Sequence, residues 1–298
     1  MKAGRARTGS NPLLALPALA LFGLFALAPM IVVTVLSFTY YDGINPPKSA
    51  GFANWNRFMH DSTTHHAILL TLEIMALSWL FQTPLALLLG VFLAGRQRYR
   101  ALLGAVYFIP LLFSAAAIGI TWMKLLDPNF GLLSNLIHRL HMGWFPNDWL
   151  GSQGLALYMI VFIISWQFIP FHTLLYQAGA RQIPRSVYEA AEIDGAGRLR
   201  QFLYVTLPLL RNTVVTSSML IIVGSLTYFD LIFVTTGGGP GFATRILPLD
   251  MYINGFQRTD MGYASTISVV LVVASLFLSL LLIRVTGFGR FRSAHEGA

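Results

Sequence analysis

No cysteine occurs in these 298 residues. Disulfides, thiolate nucleophiles and cysteine-held metals are therefore excluded. Charge is scarce as well: 11% of the chain is Asp, Glu, Lys or Arg, and 55% is hydrophobic. A soluble globular domain carries about 25% charged residues. Lysine is reduced to Lys2, Lys48 and Lys124. No G-x-x-x-x-G-K-[ST] phosphate loop is present, and the one Lys-Ser pair, Lys48-Ser49, follows Pro47. The chain has no H-E-x-x-H motif and no readable nucleophile triad. His65 and His66 are adjacent, so on a helix they point apart and form no metal site. The net charge of +8 would suit nucleic acid in a soluble protein. Here the charges fall in short clusters between apolar runs, which fits a lipid membrane and no nucleic acid. Internal repeats and low-complexity linkers are also missing.

What is present is long apolar sequence. A helix crosses the hydrocarbon core with about 20 apolar residues. Six runs reach that length, at residues 12–38, 67–94, 102–122, 155–175, 213–234 and 264–283. The expected fold class is thus an all-α integral membrane protein with six transmembrane helices. Pro17, Pro29, Pro84, Pro110 and Pro170 lie in or near these runs, where neighbouring helices satisfy the freed carbonyls. The first run has a basic start and an Ala26-Leu27-Ala28 step, as a signal peptide does. It continues to Phe38, well beyond the 7–15 residues or so of a signal core, so it reads as a retained helix.

Basic residues set the orientation. One side holds Lys2, Arg5, Arg7, Arg96, Arg98, Arg100, Arg181, Arg185, Arg198, Arg200, Arg211, Arg284, Arg290 and Arg292. The other holds Lys48, Arg57, Lys124, Arg139, Arg245 and Arg258. The positive-inside rule places the fourteen, and both termini, in the cytoplasm. The resulting division is a cytoplasmic tail 1–11, a first span 12–38, a five-span core 66–285 with a cytoplasmic loop 181–212, and a cytoplasmic tail 286–298. Trp55, Trp144 and Trp149 in the outer loops fit interfacial anchors.

The loop 181–212 is the most specific stretch. Ser186 and Glu189 have capping-box spacing after Ile183-Pro184. Ala190 and Ala191 favour helix and add almost no bulk. Asp194-Gly195-Ala196-Gly197 then stops the helix, with Gly195 free to adopt a left-handed turn. A second helical piece over 198–205 leads into Leu207-Pro208. Taken alone, Glu189 caps a helix and the alanines merely favour one. Taken together, the helices present a small-residue face able to enter a cleft on a soluble partner.

The whole pattern, Tyr188-Glu189-Ala190-Ala191-Glu192-Ile193-Asp194-Gly195-Ala196 through Thr206-Leu207-Pro208-Leu209, resembles the EAA loop of bacterial ABC importer permeases. Val205 stands where that family usually has Ile. Further stretches resemble the sugar-type branch related to MalF and UgpA. They are Tyr228-Phe229-Asp230-Leu231-Ile232, Thr236-Gly237-Gly238-Gly239-Pro240, Met261-Gly262-Tyr263-Ala264, Gln182-Ile183-Pro184, and Trp122 with Asp127-Pro128 and Gly131. The resemblance runs from about residue 67 to 283, and the first span is the extra helix many such permeases carry. It implies a type I importer permease fold in a bacterial cell (inner or plasma) membrane. It also implies a second homologous permease subunit, an ATP-binding subunit dimer and an extracytoplasmic substrate-binding protein. Tyr188, Glu189, Ala190, Ala191, Asp194 and Gly195 would couple to the ATPase. ATP would be bound by that partner, leaving this chain without cofactor, metal or catalytic residues.

Intramembrane polar groups are the candidates for a substrate path, since they are costly to keep there. Asp230, near the outer end of span five, is either a sugar-hydroxyl acceptor or an outer-gate hydrogen bond, or else an inter-helix lock or a group exposed at the interface. Gly224, Ser225 and Tyr228 lie on one side of span five at three- and four-residue spacing, and Trp166 and Gln167 lie in span four. With Phe229 they form a candidate pocket of aromatic and hydrogen-bonding groups, against the plainer reading of helix packing. Glu73 reads as structural. An ion-coupled carrier would need a carboxylate at mid-membrane and would leave the EAA loop without a role. A membrane enzyme would need a convergent catalytic set. An ABC permease for glycerol phosphate or polyamines is the nearer alternative to sugar. For topology, the test is a single cysteine placed at Pro240 or Glu189. An impermeant thiol reagent outside intact cells is expected to label position 240 and not 189; labelling at 189 would reverse the orientation.

Overall fold

The computed structural model describes residues 15–95, 97–140 and 146–286. The expected N-terminal tail, the first residues of span one, Arg96, Trp144 and all of the C-terminal tail after Thr286 lie outside the described residues. The described chain is helical apart from one antiparallel strand pair, β1 (Thr39–Tyr40) and β2 (Lys48–Ser49), in register Thr39 to Ser49. The described residues divide into two compact units, one of residues 15–60 and 251–270, the other of residues from 61 to 250 and 271 to 286.

Four helices are long and apolar enough to span a membrane: α1 (Leu16–Leu36), α3 (Ser62–Leu93), α7 (Ala156–Arg181) and α13 (Met261–Thr286). The short helix α2 (Ala53–His60) precedes α3. The other expected spans are not straight. Span three is α4 (Arg98–Leu112) followed by α5 (Ala115–Leu125), bent by 99°. Pro110 sits in a closing 3-10 turn, Phe113 is extended, and Ser114 restarts the helix by accepting from Ala117 N at 3.2 Å. The proline withholds a donor and the serine offers a cap, so a break is cheaper than continuation. Six spans are reached only if each bent pair counts as one.

In the first unit no residue of α1 is buried, so its apolar surface is open all round. The wide π turn Gly23–Leu27 directly precedes Ala28-Pro29, which makes room for the ring that cannot donate. Asn54 Nδ2 donates to Ser37 O at 3.1 Å and Thr39 O at 2.9 Å. At the head of α13, Gly262 N donates to Tyr41 O at 3.1 Å, and any Cβ there would collide with Thr39 O. Arg57 pairs with Asp260 at 2.6 Å and lies 3.9 Å from the Tyr263 ring centre. The Met261-Gly262-Tyr263-Ala264 motif is thus a packing motif.

The second unit is built on α3 against α7. Gly90 allows the contact: a Cβ there would lie 2.5 Å from Tyr176 Cβ and 2.8 Å from Thr173 O. Gln177 Nε2 donates to Leu93 O at 2.8 Å across the same seam. Ala86, Leu87, Ile169, Tyr176, Ala180 and Leu210 form the core. Beyond α5 the carbonyl of Asp127 accepts from Gly131 N at 2.9 Å. A Cβ on Gly131 would stand 2.6 Å from Leu125 O, which explains a glycine after Asp127-Pro128. The N–H groups of Phe130 and Asn129 hold the Asp127 carboxyl below the ordinary carboxylate range. The short helix α6 (Leu132–Arg139) follows.

One feature of this unit escaped the sequence. Arg245, counted above as an outer-loop charge, is buried in an ion pair with Asp250 at 2.6 Å, with side chains 6% and 1% exposed. Asp250 also accepts from Thr64 Oγ1 at 2.9 Å. Asp61 caps α3 by accepting from Thr63 N at 3.0 Å, and Leu247 N donates to Thr71 Oγ1 at 2.9 Å. The stretch up to α12 (Leu247–Tyr252) is thereby fastened to the first turns of α3. A buried pair of this kind is costly to break because the survivor is left uncompensated. Asp250→Ala is expected to destabilise the detergent-solubilised protein by about 3–5 kcal/mol, seen as a lower unfolding midpoint. The double change Arg245→Met with Asp250→Leu is expected to recover most of that loss.

Candidate functional site

Two regions carry the expected site residues: the 181–212 loop and a cavity among the helices of the same unit. In the loop, α8 (Arg185–Ile193) starts directly after Pro184, at φ −60° and ψ 139°. The expected capping box is absent. Proline pre-sets φ for entry, so the helix begins at Arg185 and Ser186 falls inside it with no capping bond. Glu189 instead meets Arg185 at 3.0 Å in an exposed i,i+4 pair. Such pairs contribute little, so Glu189 remains available to a partner.

The end of α8 is as expected. Gly195 has φ +75°. Gly195 N donates to Glu192 O at 3.0 Å and Ala196 N to Ala191 O at 2.8 Å. These two bonds are the Schellman arrangement, which closes a helix around a left-handed residue. Nothing lies within 4 Å of a Cβ built on Gly195, so the backbone conformation, not crowding, demands glycine. The chain then enters α9 (Arg198–Leu209), whose π turn Phe202–Thr206 again directly precedes a Leu-Pro step. Tyr188 and Thr206 hydroxyls bond at 3.0 Å, joining α8 to α9. Thr206 and Leu210 are buried, and Leu210 belongs to the core. A 69° bend leads to α10 (Arg211–Ser225). The loop is therefore a braced helical hairpin. Its outer surface carries Val187, Leu199, Ile193 at 87% exposure and Tyr204 at 77% exposure. Ala190 is exposed and Ala191 half-buried, so the small-residue face is accessible. Apolar side chains so open on a short amphipathic helix fit insertion into another protein.

The cavity has a volume of about 360 Å³. It lies among α7, α10 and the start of α11 (Asp230–Thr235), with Leu111 and Ala115 at the α4–α5 break. Gly224, Tyr228, Phe229 and Asp230 all line it, as expected. Trp166 does not: it packs edge-on against Trp122 at 5.5 Å on the exposed side of α7. Its neighbour Gln167 points inward and is buried, and no partner engages its Oε1 among the described residues. Span five is not continuous, contrary to expectation. It ends at Ser225, whose Oγ donates back to Ile221 O at 2.7 Å. Thr227 Oγ1 donates to Gly224 O at 2.8 Å, so side-chain bonds replace the helical ladder. Ser225 is buried away from the cavity, while Tyr228 enters it from the linker and stacks on Phe168 at 5.9 Å. His172, which sequence reasoning passed over, also lines the cavity and bonds Ser217 Oγ through Nδ1 at 3.0 Å. Its polar side chain on a largely apolar helix was the available signal. Glu73 is exposed on α3, outside this cavity.

Gly195→Val forces a β-branched residue to positive φ, which is a backbone outlier for such a residue. The Schellman turn is expected to open, and trypsin is expected to cut the variant faster after Arg198 than it cuts the wild type. Membrane insertion should be unchanged, because the turn lies outside the apolar helices. Unaltered cleavage would show that the turn does not need glycine.

Residues 82–288 match the family described as binding-protein-dependent transport system inner membrane component. The chain is 32% identical over 281 residues to a trehalose/maltose transport system permease protein, MalF, of Thermococcus litoralis, covering 94% of this chain and 93% of that one. It is 29% identical to an arabinooligosaccharides transport system permease protein, AraP, of Bacillus subtilis, covering 89% and 85%. A crystallised bacterial ABC transporter involved in import of the acidic polysaccharide alginate contains a chain of the same fold, with TM-score 0.81 at 20% identity over 94% of this chain. The match over more than half its length, together with the multi-helix apolar architecture, means that this chain belongs to the family of binding-protein-dependent transport system inner membrane components.

Proposed function

We propose that this chain is a permease subunit of an ABC importer for a carbohydrate. It works beside a second homologous permease subunit, above an ATP-binding subunit dimer and below an extracytoplasmic substrate-binding protein. The α8–α9 hairpin, with Tyr188, Glu189, Ala190, Ala191, Asp194 and Gly195, is the ATPase contact on the cytoplasmic side, where both termini also lie. The chain transports and does not hydrolyse ATP, in keeping with its lack of a phosphate loop. The observation that carries this reading is the braced hairpin, whose exposed apolar side chains and closed glycine turn have no use in an isolated membrane protein. The carbohydrate part rests on relatives named for maltose, trehalose and arabinooligosaccharides and on a cavity that pairs aromatic rings with hydrogen-bonding groups.

The mechanism follows from connectivity. When the ATPase dimer closes, it moves the inserted hairpin. Tyr188 and Leu210 pass that movement to α10, whose far end borders the cavity at Gly224. Coupling needs contacts that differ between two states, and the bend between α9 and α10 is where they can differ. Ala191→Leu overfills the fitted face, a change that costs about 1–3 kcal/mol in a packed interface. Ala191→Leu and Gly195→Val are each expected to leave the chain in the membrane, reduce co-purification of the ATPase and abolish sugar uptake. Normal attachment with normal uptake in Gly195→Val would show that the hairpin is not the coupling element.

A further inference from the structure

The cavity presents two acceptors without partners among the described residues, Gln167 Oε1 and the Asp230 carboxylate, and Asp230 is the only charged group among its lining residues. Gln167 Oε1 is buried with no donor among the described residues. A buried acceptor without a donor is costly unless a ligand or water supplies one. Asp230 lines the same cavity, is exposed, and has no hydrogen bond or ion pair among the described residues. His172 is already engaged at Nδ1 by Ser217. No lysine or arginine lines the cavity, and the rest of the wall is chiefly aromatic and aliphatic, with Phe168 and Tyr228 forming a stacked pair.

We infer that this cavity selects an uncharged, hydroxyl-rich saccharide and rejects sugars bearing a carboxylate or sulfonate. The inference rests on the carbohydrate reading above and narrows it. A sugar's hydroxyls donate to Gln167 and Asp230, and its C–H faces lie on the aromatic rings. An anionic sugar brings a negative charge to the Asp230 carboxylate, and no lysine or arginine among the described lining residues offsets it. Discrimination of this kind works by leaving the wrong ligand with unpaired charge. A polyamine would also donate and would answer Asp230. The neutral amide of Gln167 and the long apolar wall give its second charge no counterpart.

The test uses the complete complex of both permease subunits and the ATPase in nanodiscs, without the binding protein, so that selectivity is read at the permease. Equilibrium dialysis measures maltose, cellobiose, digalacturonate and spermidine. Neutral disaccharides are expected to bind at least about tenfold more tightly than digalacturonate, the factor that follows from excluding one unpaired charge. Asp230→Asn keeps the size of the side chain and removes its charge. It is expected to narrow that ratio while co-purification of the ATPase stays at the wild-type level. Gln167→Leu is expected to weaken neutral sugars without changing the sign of the preference. Digalacturonate bound as tightly as maltose would overturn the inference and leave the carbohydrate reading standing. Binding of spermidine in preference to every sugar, or of no sugar at all, would overturn both. A wild-type preference that survives Asp230→Asn unchanged would remove Asp230 from its proposed part.

Discussion

Everything in the larger unit depends on how closely α3 and α7 approach. Lipid tails are as apolar as leucine, so burying apolar surface does not by itself press two membrane helices together. Close packing and hydrogen bonds must do so. Gly90 removes the one side chain that would hold the helices apart, since its Cβ would stand 2.5 Å from that of Tyr176. The Gln177 amide then reaches the carbonyl of Leu93 at the end of α3. Trp79 Nε1 donates to Ser218 Oγ at 2.9 Å, and His172 bonds Ser217 at 3.0 Å, drawing α10 onto the same pair. Tyr176 and Ala180 thereby meet Leu210, and the hairpin is anchored.

The interruptions in the helices lie beside the cavity and the hairpin. Irregular backbone at membrane depth persists only where protein or a cavity satisfies it. The α4–α5 break and the linker after α10 both border the cavity, and each is closed by local bonds, from Ser114 in one case and Thr227 in the other. The α9–α10 bend lies at Leu210, which is buried. A single 15-residue helix therefore has the hairpin at one end and the cavity wall at the other. That connection gives movement at the loop a physical route to the cavity.

The motifs shared with sugar permeases divide into three kinds. Gly131 and Gly262 are glycines because a Cβ would strike backbone, and Arg57, Asp260 and Tyr263 lock the region around Gly262. Those stretches are structural. Gly195 is different: space around it is open and only its left-handed turn requires glycine. The Tyr228–Asp230 stretch is different again, because it delivers an aromatic ring and a free carboxylate into a cavity. A shared motif thus marks a position under constraint without saying whether packing, backbone or ligand imposes it.

The amino-acid sequence by itself determined the class. Long apolar runs, few charges and no cysteine leave little but a helical membrane protein, because hydropathy acts over windows as long as a span. It also determined the Gly195 turn; of the seven pocket candidates it offered, Gln167, Gly224, Tyr228, Phe229 and Asp230 line the cavity, and Trp166 and Ser225 do not. Helix entry at Arg185 in place of a Ser186 cap was a local competition won by Pro184. Only the tertiary structure decided the rest. It turned Trp166 outward and Gln167 inward, although the two are neighbours on one helix, because the direction of α7 depends on α3. It broke span five after Ser225 where apolar composition ran on unchanged. It buried Arg245 against Asp250, a pairing that composition could not reveal because Thr64 and Asp61, far away in sequence, complete the network. Hydropathy records how much a segment prefers lipid; which face it turns inward, and where it bends, is settled by the segments that pack against it.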